Sequence, residues 1–233
     1  MFKITLITGI LVLTGILDAA VYAQETDPVL TSSAKYSMPE SALNAEIGGT
    51  VVMGISVDAT GKPARAVLIS GPMWPCGADP AKALEELSAT LTETMMSLRF
   101  TPGTTDGKPD EKAIALTLQL KNPKLALVPG PVDPATGKPR PTRISGGVLN
   151  GKATELPKPA YPAEARTNRD SGAVSIEVLI DEDGKVVRAG AVSGAPTLQY
   201  AARDAACRAK FSATTLSGNP VKVSGVMTYN FVP

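Results

Sequence analysis

Histidine is absent from this 233-residue chain, and aromatic residues make up only 4% of it. Without histidine the commonest general base and the commonest transition-metal ligand are both missing, which removes Ser-His-Asp and Cys-His nucleophilic sites and most catalytic zinc centres. Sites built on Asp, Glu, Lys or Ser stay chemically open, but no paired carboxylates at a useful spacing support one. The chain therefore reads as not an enzyme, with no catalytic residue, no metal and no cofactor expected. An excess of one charge is missing as well: 23 Lys and Arg stand against 22 Asp and Glu, for a net charge of +1. No basic run is present that could track a phosphate backbone, so nucleic acid is not an expected partner. No small-molecule substrate is evident.

Cysteine is scarce. Cys76 and Cys207 are far apart and no CxxC spacing occurs, which argues against a thiolate metal site. Cys207 falls in "AARDAACRAKF", where a small thiol fits a helix face among alanines, and plain packing is its expected role. An oxidising compartment would permit a bond to Cys76.

Long apolar runs are lacking except at the start. "MFKITLITGILVLTGILDAAVYAQ" has one lysine, an apolar run from Ile4 to Leu17, and then Val21 and Ala23 spaced as a signal peptidase prefers. The run falls short of the roughly 20 residues that cross a bilayer comfortably, and Asp18 interrupts it. The expectation is a signal peptide over residues 1–23, cleaved after Ala23, and a periplasmic protein; the alternative is an uncleaved segment anchoring the chain in the inner membrane.

What is abundant is internal repetition. "VDATGKPARAVLISG" (57–71) and "IDEDGKVVRAGAVSG" (180–194) share Asp58/Asp181, Gly61/Gly184, Lys62/Lys185, Arg65/Arg188, Ala66/Ala189, Ser70/Ser193 and Gly71/Gly194, each pair 123 residues apart. Upstream the same offset joins Pro39 to Pro162, Ala42 to Ala165 and Gly49 to Gly172. Downstream, "RFTPGTTDGKP" matches "KFSATTLSGNP" at an offset of 111, so the first copy carries a twelve-residue insertion around "MWPCGADPAK".

Each copy alternates in the same way. Val51, Met53, Ile55 and Val57, like Val174, Ile176, Val178 and Ile180, recur at every second residue, the period of a strand with one buried face. "DATG" and "DEDG" supply turn residues, and an extended pattern resumes after each, which makes a hairpin. Leu84, Leu87, Leu91, Met95 and Leu98 then follow helical spacing, as do Leu198, Ala201, Ala202, Ala205 and Ala209. A last strand closes each unit: Ile114, Leu116, Leu118 and Leu120 in the first, and Val221, Val223, Met227, Tyr229 and Phe231 in the second. The expected fold class is α+β, two units of β-hairpin, helix and β-strand with one helix on a small antiparallel sheet. The expected bounds are 35–121 for the first domain, 122–142 for a Pro-rich linker that forms neither helix nor central strand, and 143–233 for the second. "ISGGVLNGKATELP" leaves open a further strand or hairpin belonging to the second domain.

The second copy resembles the TonB C-terminal domain, the periplasmic part of an energy transducer of Gram-negative bacteria. The resemblance rests on Tyr161-Pro162, Ala165, Gly172, Asp181 to Gly184, Ser193-Gly194, Phe211, and "GNPV" leading to "TYNF", and it covers about Pro157 to Val232. The first copy is similar in a degenerate form, with Met38 where the family has its tyrosine. The resemblance implies that the last strand adds to a short extended segment, the TonB box, of a TonB-dependent outer-membrane receptor, or to another envelope protein, in support of transmembrane transport. The pairing would be β-augmentation, in which unpaired N–H and C=O groups of an edge strand bind an extended peptide. Val221 to Phe231 is then the candidate edge, with Lys222, Ser224, Val226, Thr228 and Asn230 facing away from the helix. Tyr161 and Pro162 either contact the partner or pin the chain's entry onto the sheet. Lys158 stands where the family commonly places a glutamine that touches the box. A full transducer also has an uncleaved anchor carrying a histidine and a long Pro-rich spacer, whereas here the leader reads as removable, histidine is absent and the Pro-rich linker is short; the alternative is a structural or assembly module without energy coupling.

Two motifs are decoys. "GGVLNGKA" (146–153) lacks the hydroxyl residue of a P-loop and is followed by "TELPKP", which cannot be the phosphate-binding helix. "DEDG" lacks the spaced ligands and closing Glu of a calcium loop, and a hairpin turn suffices.

Overall fold

The computed structural model of the protein describes residues 25–125 and 142–232; the expected signal peptide and most of the expected linker lie outside the described residues. The first half runs β1 (Glu25–Thr26), β2 (Val29–Leu30), α1 (Glu40–Asn44), β3 (Gly49–Val57), β4 (Pro63–Ser70), β5 (Trp74–Pro75), α2 (Ala81–Met96), β6 (Phe100–Thr101), β7 (Gly103–Thr105), β8 (Lys108–Asp110) and β9 (Lys112–Leu120). A short 3-10 turn, Pro123–Leu125, follows β9 where only extended linker is expected. The second half runs β10 (Arg143–Val148), β11 (Ala153–Glu155), α3 (Ala163–Asn168), β12 (Gly172–Ile180), β13 (Val186–Ser193), α4 (Pro196–Cys207), β14 (Lys210–Phe211), β15 (Thr215–Leu216), β16 (Asn219–Pro220) and β17 (Lys222–Phe231). The class is α+β, with few helices and several small sheets.

Period-two alternation produces the two central strands. β3 is the middle of an antiparallel sheet of order β4-β3-β9, and its Val51, Met53, Ile55 and Val57 are buried in one core with Leu87, Leu91 and Met95 of α2. β12 lies inside a sheet of order β10-β17-β12-β13-β5, with Val174, Ile176, Val178 and Ile180 buried in a second core with Leu198, Ala202 and Ala205 of α4. Strand geometry sends alternate side chains to one face, so each central strand delivers four apolar groups to its own core. The second sheet is mixed rather than purely antiparallel, because β10 joins it in parallel.

The turns explain two glycines. Gly61 has φ +81° and Gly184 has φ +85°, and a Cβ on either would sit 2.0 Å from a carbonyl oxygen, that of Phe100 or Phe211. Those two phenylalanines donate their N–H groups to the Gly61 and Gly184 carbonyls at 2.9 Å, which ties each turn to the residues after the helix. Asp58 and Asp181 brace the turns by accepting from the Lys62 and Lys185 backbone N–H groups. Among the described residues no group of side chains is arranged to hold a metal.

The first half is longer than the second in two places. Ten residues join β4 to α2 where two join β13 to α4, and α2 has 16 residues against 12 in α4. The longer connection leaves its own half: β5 pairs antiparallel with β13, placing Trp74 beside Ala189 and Pro75 beside Arg188. Plain packing is not the role of Cys207, because it is disulfide-bonded to Cys76, 131 residues away with Cα atoms 5.6 Å apart. Spacing alone could not reveal this, since the bond depends on β5 crossing to the other sheet.

Arg203 completes the junction. It is only 5% exposed, donates to the carbonyls of Ala189, Trp74 and Pro75 at 3.0–3.1 Å, and lies 3.8 Å over the Trp74 ring. Burial lowers its guanidinium pKa to about 10, which leaves it cationic at neutral pH. Charge-assisted bonds and the ring face together compensate for taking it out of water. Gly190 allows the approach, because a Cβ there would lie 2.5 Å from the Pro72 carbonyl oxygen. No helix among the described residues is long and apolar enough to cross a membrane.

Candidate functional site

β17 is the strand expected to offer a free edge, and its two faces divide as its sequence predicts. Val223, Met227, Tyr229 and Phe231 are buried in the second core; Lys222, Ser224, Val226 and Thr228 are half-buried on the opposite face, and Asn230 is exposed. On one side β17 pairs antiparallel with β12 in an unbroken register, from Gly172 opposite Phe231 to Ile180 opposite Val223.

The other side is not free, which corrects the expectation of an open edge along Val221–Phe231. β10 runs parallel to β17 there, pairing Arg143, Ile144 and Ser145 with Lys222, Val223 and Ser224, and after a register shift Gly147 and Val148 with Gly225 and Val226. The Lys222 N–H donates to the Thr142 carbonyl and the Leu149 N–H donates to the Val226 carbonyl, both at 2.9 Å. Beyond the strand, Asn150 imitates one more peptide: its side chain accepts from the Thr228 N–H at 2.8 Å and donates to the Thr228 carbonyl at 2.7 Å. The segment left open by sequence is therefore a strand, and it occupies the rim from Lys222 to Thr228.

Glycine at 225 is what admits it. A Cβ there would lie 2.6 Å from both the Gly147 carbonyl oxygen and Leu149 Cδ1. Leu149, 2% exposed, fills the space and joins the second core. The other end of the segment is lightly held, with Arg143, Ser145, Gly147 and Val148 exposed and Ile144 half-buried. Lys152 Nζ donates to the Gly146 carbonyl, and β11 rather than a helix follows, so the P-loop-like stretch is a strand end and a 3-10 turn.

Lys222 and Ser224 also line a cleft of about 1110 Å³, whose walls include Glu177 of β12, Thr50 of β3 and Gln119 of β9. Arg188 lines it as well, donating to the Met73 and Glu46 carbonyls and forming an ion pair with the Glu46 carboxylate at 3.5 Å. Burial lowers its pKa, opposed by the Glu46 charge.

Tyr161 is a staple within the fold. Its ring meets Phe231 edge-on with centroids 5.7 Å apart, its hydroxyl donates to the Asp170 carbonyl, and the Arg166 guanidinium lies 5.7 Å from the ring centre. Pro162 precedes α3 in an extended conformation, and Lys158 is exposed ahead of both. The structure thus brings Lys222, Ser224, Val226 and Thr228 together along one face, with Tyr161 packed at the far end of the strand. Sequence reasoning misses Asn150, Leu149, Arg188 and Arg203; Gly225, which breaks the apolar alternation between Val223 and Met227, is the one visible signal of an inserted neighbour.

No curated protein and no solved structure compared with the chain matches it. Residues 157–233 match the family model described as Gram-negative bacterial TonB protein C-terminal. That family is envelope-associated, is linked to transport and generally engages outer-membrane receptors. With hairpin, helix and closing strand β17 in the expected order across the matched residues, the segment 157–233 is similar to the TonB C-terminal domain in both sequence and element order.

Proposed function

We propose that this is an exported, non-enzymatic TonB-like protein that binds extended protein segments by strand addition at β17, with β10 as the resident strand that an incoming segment replaces. The carrying observation is the parallel β10–β17 pairing, in which the rim already holds an extended segment. That resident lies just upstream of the residues that match the family. It is suited to leaving in part. It has two glycines, a register shift in mid-strand and little buried side chain before Leu149, so unzipping Arg143 to Gly147 uncovers little apolar surface. The incoming segment would come from a TonB-dependent outer-membrane receptor or another envelope protein, meeting Lys222, Ser224, Val226, Thr228 and Asn230, with Lys158, Tyr161 and Pro162 near the end of the strand. The first half is read as a degenerate copy of the same domain, supported by the matched turns at Gly61 and Gly184. Export with cleavage after Ala23 is tested by sequencing the mature N-terminus, where an intact Met1 would overturn it.

The occupied rim also favours a second reading, a structural or assembly module without energy coupling in which β10 never leaves. One titration separates the two. The full chain is titrated with peptides of the TonB-box type while backbone amide shifts are followed, alongside Gly146→Val, whose side chain would collide with Leu149 and Val223 and loosen β10. Strand exchange predicts shifts confined to β10 and Lys222–Phe231, with binding tightened about tenfold or more in the variant as the competing strand is weakened. Saturating peptide that leaves those amides unmoved in both proteins would overturn it in favour of the assembly module.

A further inference from the structure

The rim of β9 stands in contrast. β3 pairs along its whole length on one side, and among the described residues no strand pairs with the other. From Ala113 to Leu120 that rim has neither charge nor proline, the usual means by which proteins keep an edge from pairing. On the face toward α2, Ile114, Leu116 and Leu118 remain only half-buried, whereas Met227 and Tyr229 of β17 are buried. A leucine-bearing plug like the β10 segment cannot complete this rim. The position of Gly225, which receives Leu149, is taken in β9 by Ile114: Gly225 lies opposite Val178 and Ile114 opposite Ile55, equivalent places in the two central strands. What fits is a strand that brings a side-chain stripe of its own.

We propose that β9 pairs antiparallel with β9 of a second copy of this chain, about a two-fold axis through Leu116, joining the two three-stranded sheets into one of six strands. This interface is separate from strand exchange at β17 and does not depend on it. Register selects the axis. Backbone groups of β9 point outward at alternate residues, so directly opposed residues must share that orientation. Centring on Leu116 sets Leu116 against Leu116 and Ile114 against Leu118, which closes the half-buried stripe, and sets Ala115 against Thr117 on the other face. The same register places exposed Glu111 opposite exposed Lys121 twice, by symmetry. Moving the centre to Ala115 puts Glu111 against Gln119, and moving it to Thr117 puts Lys121 against Ala113; neither alternative matches the charges.

Sedimentation equilibrium on the full chain tests this. The expected result is a monomer–dimer equilibrium that weakens about tenfold or more when Ala115→Lys and Thr117→Lys, both at exposed positions, set like charges opposite each other. Glu111→Lys or Lys121→Glu alone should weaken it several-fold, and the two together should restore it, because the exchanged charges again face each other in this register only. A chain that stays monomeric, self-association indifferent to the paired lysines, or a double exchange that fails to recover dimerisation would each overturn the proposal.

Discussion

The helix over β3 fills its core with Leu87, Leu91 and Met95, whereas the helix over β12 presents Leu198 followed by Ala202, Ala205 and Ala206. The first sheet accordingly closes with its own large side chains, Ile114 among them. The second imports bulk: Leu149 reaches in from beyond β10 over Gly225. The two halves, with matched turns, thus fill their cores differently, one from the large side chains of its own helix and sheet and one with Leu149 from beyond its outer strand. The segment that brings Leu149 also covers the β17 rim, while β9 keeps a half-buried stripe beside a rim that no described strand pairs with.

The difference can be broken most strongly in the first core, where Leu91→Ala should cost about 2–5 kcal/mol by removing buried volume, read from urea unfolding. Removing the disulfide by Cys76→Ser with Cys207→Ser should cost about 2–4 kcal/mol and separate the calorimetric transition into two as the halves uncouple. A single unshifted transition would mean that β5 and Arg203 join the halves without it. In the second core the opposite change should hurt: Ala205→Leu overfills a tight contact at a cost of about 1–3 kcal/mol. If that variant were neutral, the second core would have room and its alanines would not be required for close approach. The smallest expected effect is a difference between variants, and it sharpens the likeness instead. Gly61→Ala and Gly184→Ala should each cost about 1–3 kcal/mol, because both force a side chain into positive φ against a carbonyl, and thermal unfolding should find the two losses similar.

Local chemistry is legible in this sequence and long-range pairing is not. Strand alternation, the Asp and Gly of the turns and the helical spacing of Leu and Ala act within a few residues, so Val51–Val57, Val174–Ile180 and both long helices can be read directly. β10 cannot: "RISGGV" has glycines where a strand would show side chains, and its partner lies some 80 residues away in a parallel register that no short turn dictates. The open edge that the resemblance implies for the last strand is taken by β10, and Gly225 is the one mark of it, a vacancy in the strand's apolar stripe. The clasp between the halves is hidden for the same reason. β5 is two residues long, and Arg203 in a run of alanines reads as solvated until Trp74 arrives from the other half. Of the candidate site, the face from Lys222 to Asn230 can be foreseen from alternation, whereas Asn150, Leu149 and Arg188 act through contacts far along the sequence.

The Cys76–Cys207 bond also dictates how the molecule can be stretched. Tension applied between Glu25 and Val232 passes from residue 76 straight to residue 207, so the 131-residue span between them lies outside the load path. At about 3.5 Å per extended residue, roughly 450 Å of contour is withheld from any pull until the bond is reduced. A tug on the terminal ribbon would therefore be met by a short, stiff tether, and a reductant would release the withheld length.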